Sequence, residues 1–119
     1  MKYQIIVSLN SLRLFPTEQQ PIRPFSWVSA TGENVADMIE TLKKHALRDM
    51  NFTADEAETM SVRVLRAFNN GDKAVTSSFN KFEFITVTVM DEEEITIREQ
   101  EVFQLMMGAV GPVDKSQLN

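Results

Sequence analysis

Carboxylates are the only chemically active side chains that this sequence gathers in one place. The stretch Asp91-Glu92-Glu93-Glu94-Ile95-Thr96-Ile97-Arg98-Glu99-Gln100-Glu101 sets six acids against one arginine. The 119 residues carry 17 acids and 12 bases, so the rest of the chain balances at eleven of each and the net charge of −5 resides in this stretch. Carboxylates grouped in this way can ligate a hard cation, steer a basic partner, or complement the positive end of a helix. Calcium loops place their ligands at alternate positions around a central glycine, and this run has neither feature. Two readings remain for Asp91, Glu92, Glu93 and Glu94. One is a docking patch for a basic protein surface. The plainer one is a solvated turn ahead of a helix, where each exposed carboxylate contributes ~0.3–1 kcal/mol.

Elsewhere the equipment for chemistry is sparse. His45 is the single histidine. Its place at the edge of an apolar helical stripe suits an amphipathic boundary residue better than a metal ligand or general base. With no cysteine in the chain, disulfides, thiolate metal sites and cysteine nucleophiles are excluded. Ser77-Ser78 lacks the Gly-x-Ser-x-Gly setting of a nucleophile elbow. Gly32, Gly71, Gly108 and Gly111 are scattered, and no Gly-Lys-Ser or Gly-Lys-Thr occurs, so no standard phosphate loop is present. No cofactor and no metal are therefore expected. A sequence pI near 4.8 has the wrong sign for binding phosphates and disfavours a nucleic-acid partner.

The elements that must position these groups follow from periodicity. Tyr3, Ile5, Val7 and Leu9 alternate with polar neighbours and predict a half-buried strand. Three prolines, Pro16, Pro21 and Pro24, predict a loop over 15–24 that stays out of any ladder. A second strand is expected over 25–30. There core packing is the expected role of Phe25 and Trp27, with an aromatic platform beside Arg23 as the alternative. Val35, Met38, Ile39, Leu42 and Ala46 share one helical face, so a helix is expected over 33–48 with Thr31 or Asn34 as its cap.

Thr53-Ala54-Asp55-Glu56 has the capping-box pattern, and Ala57, Met60, Val64, Leu65 and Phe68 behind it predict a helix ended by Asn69-Asn70-Gly71. A strand over 61–68 is the rival, because Val62-Arg63-Val64 alternates and Asn70-Gly71 is also a hairpin signal. The β-branched and aromatic stretch 81–90 is half apolar on both faces and predicts a central strand, paired with 74–79 through Asn80-Lys81.

Thr96-Ile97-Arg98-Glu99 repeats the capping-box pattern and predicts a last helix ending before Gly108. Its apolar arc is wide. Val102, Leu105, Met106 and Ala109 form one stripe, and Phe103 and Met107 widen it to about 200°, more than one core requires. Either this domain or another chain has to cover the surplus. The segment 96–108 resembles the opening helix of LuxR-type DNA-binding domains, over 13 of the 119 residues. The residues after Gly108 include Gly111 and Pro112 and offer no recognition helix, so the likeness does not extend to DNA binding.

The order strand, strand, helix, helix, strand, strand, helix predicts a single α+β domain over 1–111. A mainly antiparallel sheet with about three helices on one face is expected, with a polar tail over 112–119. No stretch reaches the roughly 18 apolar residues of a membrane span, and the first ten residues read as a strand instead of a leader, so a cytoplasmic protein is expected. The functional expectation is a small acidic protein-interaction module without catalysis. It would associate with itself through Phe103, Met106 and Met107, or with a basic protein surface through Asp91 to Glu94. A pocket between sheet and helices using Trp27, Tyr3 or His45 is the alternative. A nucleic-acid-mimicking inhibitor is a third reading, weakened by charge confined to one stretch.

Overall fold

The computed structural model of the chain describes residues 1–11 and 23–110, the last three by backbone alone. Most of the loop expected over 15–24 and the tail expected over 112–119 lie outside the described residues. The elements run β1 (Tyr3–Ser11), β2 (Ser26–Gly32), α1 (Val35–Asp49), α2 (Ala54–Asn70), β3 (Ala74–Ser78), β4 (Glu83–Asp91) and α3 (Glu92–Val110). The four strands form one antiparallel sheet in the order β2-β1-β4-β3, which is the expected α+β arrangement.

Period-two alternation sorts the strand residues onto two faces. Ile5, Val7 and Leu9 of β1, Val28 and Ala30 of β2, and Ile85, Val87 and Val89 of β4 form the buried face. Against them lie Met38, Leu42 and Ala46 of α1, and Ala57, Met60, Val64 and Ala67 of α2. Each fully buried aliphatic side chain in this layer contributes about 1.5–3 kcal/mol. β4 lies between β1 and β3, so the stretch that is apolar on both faces is central, as its pattern predicts.

Both inner helices are closed by local chemistry. Asn34 caps α1, its side-chain oxygen accepting from the Asp37 N–H at 3.2 Å. At α2 the Thr53 hydroxyl accepts from Glu56 N–H at 3.1 Å, and the Glu56 carboxylate accepts from Thr53 N–H at 2.9 Å. That reciprocal box decides between helix and strand for residues 61–68, which lie inside α2. Gly71 then takes φ = 72°, the left-handed conformation that lets its N–H and that of Asp72 close on Phe68 and Ala67 carbonyls. The stripe of α2 departs from expectation at one position: Ala67 is buried and Leu65 is exposed. Phe68 stays half-buried, packed edge-on against Tyr3 at 5.0 Å.

The expected hairpin between 74–79 and 81–90 is present, although β4 starts at Glu83. Asn80 makes the turn: its side-chain oxygen accepts from the N–H groups of Phe82 and Glu83, both at 2.9 Å.

Two expectations are corrected. Phe25 and Trp27 do not enter the core, being 64% and 59% exposed. Val28 and Ala30 take the helix-covered face of β2, so alternation turns Trp27 to the opposite face, beside Ser8 of β1. The third helix also begins earlier and ends later than its motifs suggest. The Thr96 pattern is not a cap: the Thr96 hydroxyl donates to the Glu92 carbonyl at 2.9 Å, one turn into a helix already running. Nor does α3 join α1 and α2 over the core, since every residue from 96 to 107 is exposed.

Candidate interaction surface

The acidic run is the cap and first turn of α3, and several of its carboxylates are used within the chain. Asp91 ends β4 opposite Tyr3, and its carboxylate accepts from the Glu94 N–H at 3.0 Å. That hydrogen bond holds the Asp91 carboxyl below its ordinary value, against partial desolvation and with help from the Lys73 ammonium. Lys73 lies at 3.6 Å from Asp91 and donates to the Glu94 carboxylate, which raises its own pKa above the usual lysine value. Glu92 accepts from the backbone N–H of Lys2 at 2.8 Å. Glu92 and Glu93 are exposed, while Glu94 and Asp91 are half-buried.

This root ties α3 to the sheet near the start of β1 and the end of β4. Met90 points to the face opposite α1 and α2 yet is only 7% exposed, and Arg98 reaches its sulfur at 3.9 Å. Beyond that contact the helix leaves the body. Ile97, Val102, Phe103, Leu105, Met106 and Met107 are between 47% and 73% exposed. Soluble monomers rarely present a contiguous apolar patch of more than a few hundred Å², and six such side chains on one helix exceed the scatter of single exposed apolar residues. The surplus arc seen in the sequence is therefore not covered by this domain.

The charge on α3 is divided along its length. Glu92, Glu93, Glu94, Arg98, Glu99 and Glu101 lie in the first ten residues, and from Val102 to Val110 there is no ionisable side chain. Phe103, Met106 and Met107 thus stand together on an uncharged segment, and Asp91, Glu92, Glu93 and Glu94 stand together at the root. One helix and its cap carry both groups of expected contact residues, about 13–24 Å apart along the axis at 1.5 Å per residue.

A charged cluster that periodicity does not reveal lies on the other side of the molecule. Arg23 donates to Glu56 at 2.7 Å, sits 3.6 Å from Glu83, and covers the ring of Phe52 at 5.7 Å. Phe52 in turn stacks on Phe79 at 5.0 Å. Burial pushes the Glu56 carboxyl up, but hydrogen bonds from Arg23 and from the Thr53 N–H outweigh it and carry the pKa below its ordinary value. The cluster ties residue 23 to the start of α2 and the start of β4. Its one sequence signal is Glu56, whose capping role hides the second partner.

The residues named for a pocket do not converge. Trp27 lies on the uncovered sheet face, Tyr3 on the covered face against Phe68, and His45 half-buried on α1. Among the described residues no group of three or more acidic or histidine side chains is placed to hold a metal ion. No helix of the described residues is long and apolar enough to cross a membrane. Comparison with protein-family models, with curated proteins and with solved structures finds no match to this chain.

Proposed function

We propose that the protein is a small, acidic, non-enzymatic interaction module that associates with itself through the uncharged half of α3. The supporting observation is that every residue from 96 to 107 is exposed, with Phe103, Met106 and Met107 among six large apolar side chains turned to water. A helix of this kind gains little from its own body. Helices without tertiary packing are marginal in water even at 12–15 residues, so a partner surface is the natural source of its stability. The exposed carboxylates Glu93, Glu99 and Glu101 leave room for a second partner with a basic surface, which they would attract more in rate than in affinity. A cytoplasmic location belongs to the same reading; with no cysteine, the chain has no disulfide that a reducing compartment would break.

Sedimentation velocity from low to high micromolar concentration tests the proposal. The mass rises with concentration for the native chain, and Phe103→Glu abolishes the rise while leaving the thermal unfolding of the monomer in place. A native chain that stays monomeric at high micromolar concentration removes the proposal.

A further inference from the structure

We propose that Asn70 is a site of spontaneous deamidation, held off in the folded chain by the C-cap of α2 and released when that cap opens. Asn70-Gly71 is the one Asn-Gly pair in the chain. Asn10, Asn34, Asn51, Asn69 and Asn80 each precede a residue whose Cβ crowds its own amide nitrogen, whereas glycine leaves that nitrogen open to reaction. Asparagine is among the heat-labile residue types. Asn70 and Gly71 are both exposed, and nothing lies within 4 Å of the place a Cβ would take on Gly71. Water and base therefore reach the pair.

The step needs no co-reactant but water. The Gly71 nitrogen gives up its proton to water or hydroxide and attacks the carbonyl carbon of the Asn70 side chain. The new C–N bond closes a succinimide ring, the bond to the side-chain nitrogen breaks, and that nitrogen leaves as ammonia. Water then opens the ring at either carbonyl. One opening gives aspartate with the main chain as before, and the other gives isoaspartate, whose main chain runs through the former side-chain carbon.

The folded backbone opposes ring closure in two ways. Asn70 ends α2 in helical conformation, with ψ near −42°, and its side chain reaches the Gly71 nitrogen only when the chain rotates about the Asn70 Cα–C bond. The Gly71 N–H is also engaged, donating to the Ala67 and Phe68 carbonyls, while the Asp72 N–H donates to Ala67 at 3.0 Å. Rotation breaks these bonds, so reaction waits until the last turn opens. The edge-on contact of Phe68 with Tyr3 adds side-chain packing to the hold.

The products do not restore the cap. Isoaspartate lengthens the main chain ahead of Gly71 and moves both N–H groups off their carbonyls. Aspartate places a negative charge at the negative end of α2, whose last turn has no basic residue. Close behind, the Lys73 carbonyl accepts from the Val89 N–H at 2.9 Å and its ammonium holds Asp91 and Glu94, so the altered turn adjoins the root of α3.

Peptide mapping by mass spectrometry after incubation at mildly alkaline pH tests the proposal, reading the mass gain of an amide turned carboxylate. The folded chain is compared with the chain unfolded in guanidinium chloride at the same pH and temperature. Conversion at Asn70 should be about ten- to a hundredfold slower in the folded chain, as expected of a helix end held by a few hydrogen bonds. Asn70→Gln should remove the signal from this peptide. Phe68→Ala, with its fold checked by circular dichroism, should speed folded-state conversion by roughly threefold or more. Equal rates in the folded and unfolded chains overturn the gating, and so does a folded Phe68→Ala chain that converts at the native rate. An unfolded chain that gains no mass at Asn70 overturns the site itself. Should Phe68→Ala not fold, the comparison of folded with unfolded native sequence decides alone.

Discussion

Truncating Met106 to alanine separates a surface that serves association from one that serves the fold. Met106 is 60% exposed in the single chain. Burying a whole methionine side chain is worth about 1.5–3 kcal/mol, so covering the exposed part is worth about 1–2 kcal/mol. A symmetric pair loses this twice, about 2–4 kcal/mol, which weakens the dimer by about thirty- to several-hundred-fold in Kd. The monomer should not notice. Alanine is the strongest helix former, and no packing against the sheet is lost at an exposed site. Sedimentation equilibrium gives the Kd, and thermal unfolding at a dilution where the native chain is monomeric gives the control. A Kd within about threefold of the native value would refute the reasoning, because it would leave Met106 outside any contact. A fall in monomer stability would refute it differently, by placing Met106 inside the fold.

Other expected outcomes follow from local structure. Gly71→Ala should cost about 1 kcal/mol in denaturant unfolding: φ is 72°, nothing lies within 4 Å of an added Cβ, and the penalty is therefore backbone strain alone. Glu56→Gln should destabilise by about 1–3 kcal/mol, because it weakens both the Thr53 cap and the charge-assisted bond to the partly buried Arg23. The Glu56 pKa is depressed in the folded chain, so its contribution is fully present above the ordinary value of 4.5 and is lost as pH falls through the lower folded value. Acid titration of stability should accordingly be shallower in Glu56→Gln than in the native chain below pH 4.5. Trp27, the single tryptophan, should show red-shifted emission and ready quenching by acrylamide; blue-shifted, protected emission would put it in a core that the sheet alternation denies it.

Most local signals agree with the structure, as does the central place of β4, and the readings that failed turned on surroundings outside their own few residues. The alternation of Tyr3, Ile5, Val7 and Leu9, the Thr53 box with Gly71 behind it, and the Asn80 turn are each readable because the competing chemistry lies within a few residues. Trp27 misleads because period two says which residues share a face but not which face the helices cover. Thr96 misleads because Thr-x-x-Glu is a cap only where the preceding backbone is not helical, and Asp91 had already started the helix. The excess apolar arc of α3 was legible, since nothing in periodicity allowed one core to absorb it. Its lack of cover was not, because that depends on where β4 delivers the helix. Lys73 and Arg23 escaped for the same reason: their partners are 21 and 33 residues distant in sequence.

The central claim is that residues 102–107 are solvent-exposed in one chain and covered by a second. Amide hydrogen exchange of the native chain, measured across this segment at concentrations below and above the association midpoint, tests it most directly. A free helix end without packing exchanges fast, and a paired one is protected. Protection at 102–107 that rises with protein concentration while α1, α2 and the sheet stay unchanged is the predicted result. Exchange at these amides that is equally fast at every concentration would contradict the account.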